Sequence, residues 1–386
     1  MIFSSILVLA SSGSPIWDGG VRVRSEITQS GDQLEHDPRL QSRLGLRWGK
    51  NQAFGGRLVL QDARRLSEMT TSQAGELMLH EGYVRTQLLK GIRLDAGRRE
   101  LSLGSGRLVS AAPWSDNGRA FDGVFLTVKD PRYPLGLTAW ASQPGTPGSL
   151  GKRFAGVYIE RSFNPSLHWE AWWIRSQTLS TQSDRHTLGS AMRLRYRNAK
   201  AELEGSYQFG DHAERTIAAW GAALQAQWRA NHHQLKPLVG AELNLASGDS
   251  DAADPIEETF DPLYAAAHRY WGHLDLIGGR NATDLHLYAG TTLAKTNLSI
   301  HGHLLSLQSE TDDFYLHNGS GRGLASNQAT GRDVGTEIDL MAEKKIRLLK
   351  IKFGLSVFLP GSVAKRSDLG DDLILGGYLQ LESRFK

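Results

Sequence analysis

The sequence predicts an all-β fold: one transmembrane antiparallel β-barrel of about 18 strands, with short periplasmic turns and long extracellular loops. Three observations carry this reading. Segments of roughly ten residues alternate apolar and polar side chains, as strands with one oily and one wet face do. The connections between these segments alternate short and long. The last segment is amphipathic and closes on an aromatic residue, Phe385, before Lys386.

Composition removes the competing classes. No stretch approaches the roughly 20 apolar residues of a membrane helix. The 386 residues include 42 Gly, 12 Pro and no Cys, so disulfides, thiolate metal sites and a cysteine nucleophile are excluded. A net charge of +3 gives no case for nucleic acid. At the start, Ile2 to Ala10 is apolar and small residues follow, as in the core and cleavage zone of a secretory signal. Residues 1–14 lack a basic leader, so they read as a truncated signal or a late start, with a buried first strand as the alternative. Residues 15–386 then make a single barrel domain. It is expected as a monomer in the outer membrane of a Gram-negative-type bacterium, with lipid around it.

Strands are expected at 19–29, 39–49, 53–65, 76–89, 91–100, 119–129, 135–142, 153–163 and 167–178. A second group follows at 186–197, 200–210, 216–229, 235–246, 282–294, 297–309, 333–343, 346–359 and 371–385. In 186–197 one parity is apolar and Arg193, Arg195 and Arg197 hold the other. In 200–210, Leu203, Tyr207 and Phe209 oppose Glu202, Glu204 and Gln208. Short links such as Lys90-Gly91, Asn164-Pro165 and Lys295-Thr296 alternate with the longer 66–75, 101–118, 247–281, 310–332 and 360–370. Both termini therefore lie at the short-turn, periplasmic end. A two-residue turn at Asn198-Ala199 would set Arg195 opposite Glu202 and Arg193 opposite Glu204. A turn at Lys344-Lys345 would set Asp339 opposite Lys350 and Glu337 opposite Lys352, and a Leu89–Gly91 turn sets Arg85 opposite Asp95. Trp48, Trp140, Trp169, Trp173, Tyr196, Trp220 and Trp228 lie near strand ends, where aromatic girdles sit.

Three segments carry a family resemblance. The first runs Gly97-Arg98-Arg99-Glu100-Leu101, Gly104-Ser105-Gly106-Arg107-Leu108-Val109, Trp114 and Gly118-Arg119-Ala120-Phe121-Asp122-Gly123-Val124. The second is Ser247-Gly248-Asp249, Phe260-Asp261-Pro262-Leu263-Tyr264, His268, Tyr270-Trp271-Gly272, Asp275, Gly278 and Asn281; the third is Gly335-Thr336-Glu337-Ile338-Asp339-Leu340. In order and spacing they resemble the alginate-export family of outer-membrane barrels. That resemblance implies an 18-stranded barrel whose basic pore passes an anionic polysaccharide such as alginate outward, with periplasmic export partners. The alternatives are a general-diffusion or oligosaccharide-uptake porin and, further off, a barrel-embedded hydrolase.

The side chains agree in part. Arg22, Arg24, Arg43, Arg47, Arg93, Arg99, Arg193, Arg195, Lys350 and Lys352 fall on polar parities, where guanidinium groups could bind passing carboxylates. Cross-strand acids are expected to neutralise Arg193, Arg195, Lys350 and Lys352. The early arginines with Arg98, Arg99, Arg107 and Arg119 are the expected constriction. Segment 101–118 either folds inward or stays an outer loop. Segment 247–281, which holds Asp249, Asp251, Asp254, Glu257, Glu258 and Asp261, reads as an acidic surface loop; a structural Ca²⁺ there is the less favoured reading, and no other cofactor or metal is expected. His301 and His303 share a strand face without a third ligand, and no G-x-S-x-G surrounds any Ser, so a channel and no enzyme is the expectation.

Overall fold

Each alternating segment forms a strand in the computed structural model, which describes residues 14–49, 53–68, 76–129, 132, 134–145, 149–322 and 331–385. The apolar leader lies outside these residues apart from Ser14. The first strands are β1 (Ile16–Ser30), β2 (Gln33–Trp48), β3 (Phe54–Arg65), β4 (Glu76–Leu89), β5 (Ile92–Arg99) and β6 (Phe121–Lys129). Next come β7 (Leu135–Pro144), β8 (Lys152–Asn164), β9 (Leu167–Thr178), β10 (Ser183–Tyr196), β11 (Ala199–His212) and β12 (Arg215–Arg229). The last are β13 (Leu238–Ala246), β14 (Ile256–Glu257), β15 (Ala282–Leu293), β16 (Thr296–Ser306), β17 (Asp333–Ile346), β18 (Leu349–Pro360) and β19 (Ile374–Phe385).

The two-residue β14 sits inside a loop and pairs parallel with β12. The other 18 strands pair antiparallel with their neighbours, β13 joins β15, and β19 closes onto β1 from Gly19↔Phe385 to Ser30↔Ile374. One chain thus completes its own closed wall, which satisfies every ladder without an edge, as a bilayer demands. The segments with two-residue turns at 90–91, 197–198 and 347–348 share the end that holds both termini; the long connections 100–120 and 247–281 leave the other end.

Alternation sorts the two faces. On β1, Val21, Val23 and Ile27 are exposed on the outer surface while Arg22 and Arg24 are buried in the lumen. On β11, Leu203 and Tyr207 are exposed and Glu204 and Gln208 are buried. A Lys or Arg on the outer face at mid-membrane would cost about 2–4 kcal/mol, which keeps this parity apolar. Inside, several glycines lie under flat aromatic rings of adjacent strands. A Cβ at Gly156 would fall 2.6 Å from Trp140 Cζ2, one at Gly189 2.4 Å from Trp172 Cε2, one at Gly240 2.2 Å from Tyr288 Cζ, and one at Gly354 2.4 Å from Tyr378 Cε1. Ring area thereby covers backbone that a glycine leaves bare. Trp140 is consequently a lumen residue, 4% exposed, and not part of the girdle; Trp173, Tyr196, Trp220 and Trp228 are exposed on the outer face.

Two registers differ from expectation. The β10–β11 turn is Arg197-Asn198, so Arg193 faces Glu202 and Arg195 faces Lys200. The β17–β18 turn is Arg347-Leu348, so Asp339 faces Ser356, Glu337 faces Phe358 and Lys352 faces Glu343. Arg197 and Arg347 both take positive φ (52° and 53°), a conformation that glycine or asparagine usually advertises. Arg85 does face Asp95. β1 and β2 also extend further than expected, to a turn at Gly31-Asp32.

Candidate functional site: a lumen crossed by two loops

The connection between β5 and β6 folds into the barrel and reaches from one wall to the opposite one. At its tip, Arg22 donates to Pro113 O (2.7 Å) and Ser115 O (2.9 Å), and Arg24 donates to Trp114 O (2.7 Å). The Asp116 carboxylate accepts from Arg22 (3.1 Å), Arg24 (3.2 Å) and Arg39 (3.0 Å). Gln61 Nε2 reaches Asp116 O and Asn117 O. Across the lumen, Ser105 Oγ donates to Glu204 (2.6 Å), and Arg107 pairs with Glu202 (2.9 Å) and Glu242 (2.7 Å) on β11 and β13. Such an inserted segment exposes backbone polar groups in the lumen, and these wall side chains satisfy them.

The 247–281 connection also turns inward, contrary to its reading as an acidic surface loop. Its apolar and aromatic residues decide the matter: Tyr264 packs edge-on to Phe121 (5.1 Å) and Phe154 (4.7 Å), and Ile277 is fully buried. Tyr270 Oη donates to Ser105 O (2.5 Å), joining the two loops, and Glu337 accepts the His273 and Leu274 amides (2.5 and 2.9 Å), joining the second loop to β17. Trp114 stacks on His268 (3.8 Å) and lies under the Arg24 guanidinium (3.9 Å), so wall, first loop and second loop form one stack. Burial disfavours the Asp261 carboxylate, yet Arg280, Arg185 and the Leu263 amide outweigh it and hold its pKa below the ordinary range. Burial and the neighbouring histidines push His273 well below the usual imidazole value. No three metal-ligating side chains converge among the described residues.

The loops leave an eccentric passage of about 1980 Å³ beside β17–β19 and β1–β3. Its lining runs from Glu35 and Arg65, near the loop end, to Lys345 and Arg384, near the turn end. Ten basic and seven acidic side chains line it, so its balance is positive. Most of these are paired. Among the described residues, Arg119, Arg269, Lys345 and Lys352 have no ion-pair partner, Arg119 being spent on loop carbonyls, and neither does Glu35 on the acidic side.

The arginines expected to be unpaired are therefore largely committed to structure. Arg22 and Arg24 hold the loop tip; Arg43 pairs with Glu100 (3.0 Å), Arg47 lies 3.6 Å from Asp18, and Arg99 pairs with Asp95 (2.5 Å), which also lies 3.6 Å from Arg93. Arg107 is locked between acids, and Arg119 donates to the carbonyls of Ser110, Tyr264 and Ala265. Arg98 shares the outward parity with its cross-strand partner Asp122 (2.6 Å) and does not face the lumen. Arg193 bridges Glu170 and Glu202, whereas Arg195 is exposed and unpaired among the described residues. Lys350 pairs with Glu343 (2.9 Å), and Lys352, expected to be neutralised by Glu337, is the unpaired one. Sequence reasoning missed Asp116, Arg269 and Lys345: the first two lie in loops with no alternation to mark them, and Lys345, on the lumen parity of β17, was read as part of a turn.

Solved structures with this architecture include OpdL of Pseudomonas aeruginosa (TM-score 0.67, 14% identity, 96% of this chain and 99% of that one). OccAB2 of Acinetobacter baumannii gives 0.68 at 10% identity, over 96% and 98%. OccK2 (OpdF) of P. aeruginosa, solved in complex with glucuronate, gives 0.63 at 13% identity, over 96% and 98%. At these identities the likeness is one of fold, that of an outer-membrane barrel channel. No curated protein matches the sequence. The alginate export family matches residues 21–369, most of the barrel, and this chain therefore belongs to the alginate export family.

Proposed function

We propose that this barrel is a diffusion channel for small solutes, biased toward small anions, and not an open conduit for a polymer. One observation carries the reading: two loops are pinned across the lumen, and the passage left beside them carries unpaired Arg269, Lys345 and Lys352 against unpaired Glu35. A low-dielectric wall strengthens the field of those cations and raises the local concentration of anions. The complex of OccK2 with glucuronate supports a small carboxylate as the type of cargo. Export of an anionic polysaccharide, after which the family is named, is the second reading, favoured by the family match. It requires the loops to leave the lumen.

Proteoliposome swelling separates the two. Glucuronate is expected to enter rapidly, and oligouronates progressively more slowly with each added sugar. Equal entry of long oligouronates, or exclusion of glucuronate, would refute the small-solute reading.

A further inference from the structure

Beside the passage, toward the turn end, the lumen widens into a bay of about 530 Å³ against β12, β13 and β15–β17. The bay also carries charge, with Glu242 and Glu343 in its lining beside Arg269 and Lys352, but unlike the passage it has an aromatic wall. Tyr288 lies flat over Gly240, and Tyr378 lies flat over Gly354. The Tyr288 hydroxyl is fixed by Gln225 Nε2 (3.1 Å) and donates to Gln227 Oε1 (3.2 Å), so the ring is held against the wall with its orientation set. Its neighbours His286 and His301 are inclined to it by only 34° and 20°, which extends the flat surface. His286 Nδ1 is buried without a hydrogen-bond partner among the described residues, although the other ring nitrogen bonds His301 (2.9 Å). At the rim stand the ammonium of Lys352 and the exposed Arg269, shared with the passage.

We propose that this bay is a binding subsite for a sugar acid in its ring form. The apolar face of the pyranose stacks on Tyr288, its hydroxyls pair with the amides of Gln225 and Gln227, and its carboxylate meets Lys352. Each group answers one feature of the ligand. Flat aromatic faces bind flat ring faces, amides read hydroxyls, and a cation without an ion-pair partner in a narrow lumen binds an anion. An open-chain acid of the same charge satisfies the cation but cannot lie on the ring. The assignment rests on the small-anion reading above and sharpens it to one chemical class.

Single-channel block in planar bilayers tests it, with glucuronate as the ring-form probe and gluconate as the open-chain one. Loss of one stacking contact is expected to change affinity about tenfold. Wild-type barrel should bind glucuronate about tenfold more tightly than gluconate, a comparison that needs no variant. Tyr288→Leu should erase that difference while Tyr288→Phe keeps it, and Lys352→Gln should weaken both acids alike. Equal affinities for the two acids in the wild type, or a preference that survives Tyr288→Leu, overturns the bay and leaves the anion channel standing. A wild-type channel that neither acid enters or blocks overturns the channel reading and the bay together.

Discussion

Replacing Asp116 by Ala tests whether the loop tip is a latch. Its carboxylate accepts from three guanidinium groups, and its side chain is 17% exposed against 9%, 0% and 19% for Arg22, Arg24 and Arg39. Removing one partner from a buried charge network costs roughly 3–5 kcal/mol. The cost here is smaller, because Glu26 still pairs with Arg24 and Arg39, Asp37 still pairs with Arg39, and five backbone carbonyls (those of residues 113 to 117) still accept from the wall. About 2–3 kcal/mol remains for the latch itself, a shift of about 30- to 150-fold in the docked-to-undocked ratio of the loop. The wall ladders are untouched, so the barrel should still run as a folded, heat-modifiable band on gels. Single-channel recording should show bursts to a larger conductance that are about 30–150 times more frequent than in wild type. Asp116→Asn keeps an acceptor and should fall between the two. A folded Asp116→Ala barrel with wild-type current and wild-type noise would refute the latch.

Four further expectations follow from the same geometry. Lys352→Glu should move the reversal potential toward cation selectivity well beyond Arg99→Glu, since Arg99 is already paired with Asp95; equal shifts would contradict the placement of the unpaired charge. Arg107→Ala strands Glu204 and Glu242, 7% and 4% exposed, and should destabilise loop docking or folding by about 3–5 kcal/mol, read as a lower temperature of heat modification. Arg195→Ala, at an exposed site facing Lys200, should stay within about 0.5 kcal/mol of wild type. Acidification supplies the last. His273 has a depressed pKa when docked, so the undocked loop binds the extra proton, and docking strength is complete above the ordinary value of 6.5 and declines as pH falls through and below it. Loop-opening bursts should rise by up to about tenfold per pH unit below that value, and a flat profile from pH 7.5 to about 5 would count against it.

Strand identity and order were legible in the sequence because lipid on one side and polar lumen on the other impose a period of two on every wall segment. The chain closure was legible too, in the amphipathic 373–385 segment that pairs with β1. Turn chemistry was less so. Asn198 marked the correct neighbourhood, but the left-handed residue is Arg197, and the β17–β18 turn uses Arg347, so both registers slipped by a pair or more. The site was legible only as a pool of candidates. Alternation tells that Arg22, Arg24 and Lys352 face the lumen; it says nothing of what a loop inserted across that lumen brings to them. Asp116 and Glu100 arrive from the inserted connection to engage Arg22, Arg24 and Arg43, and Glu337 is drawn to loop amides and not to a lysine. The inward turn of 247–281 was hidden because its acids at 249–258 dominate its composition, while the aromatic stretch 260–271 decides its position.

The central claim is that the passage left by the two loops conducts small solutes and favours anions. The reversal potential of the purified barrel in a planar bilayer under a KCl gradient tests it most directly, at low salt where screening is weakest. The account predicts steady conductance with a reversal potential on the chloride side, reduced by Lys352→Glu. A closed barrel, or a wild-type channel that prefers potassium, would contradict it.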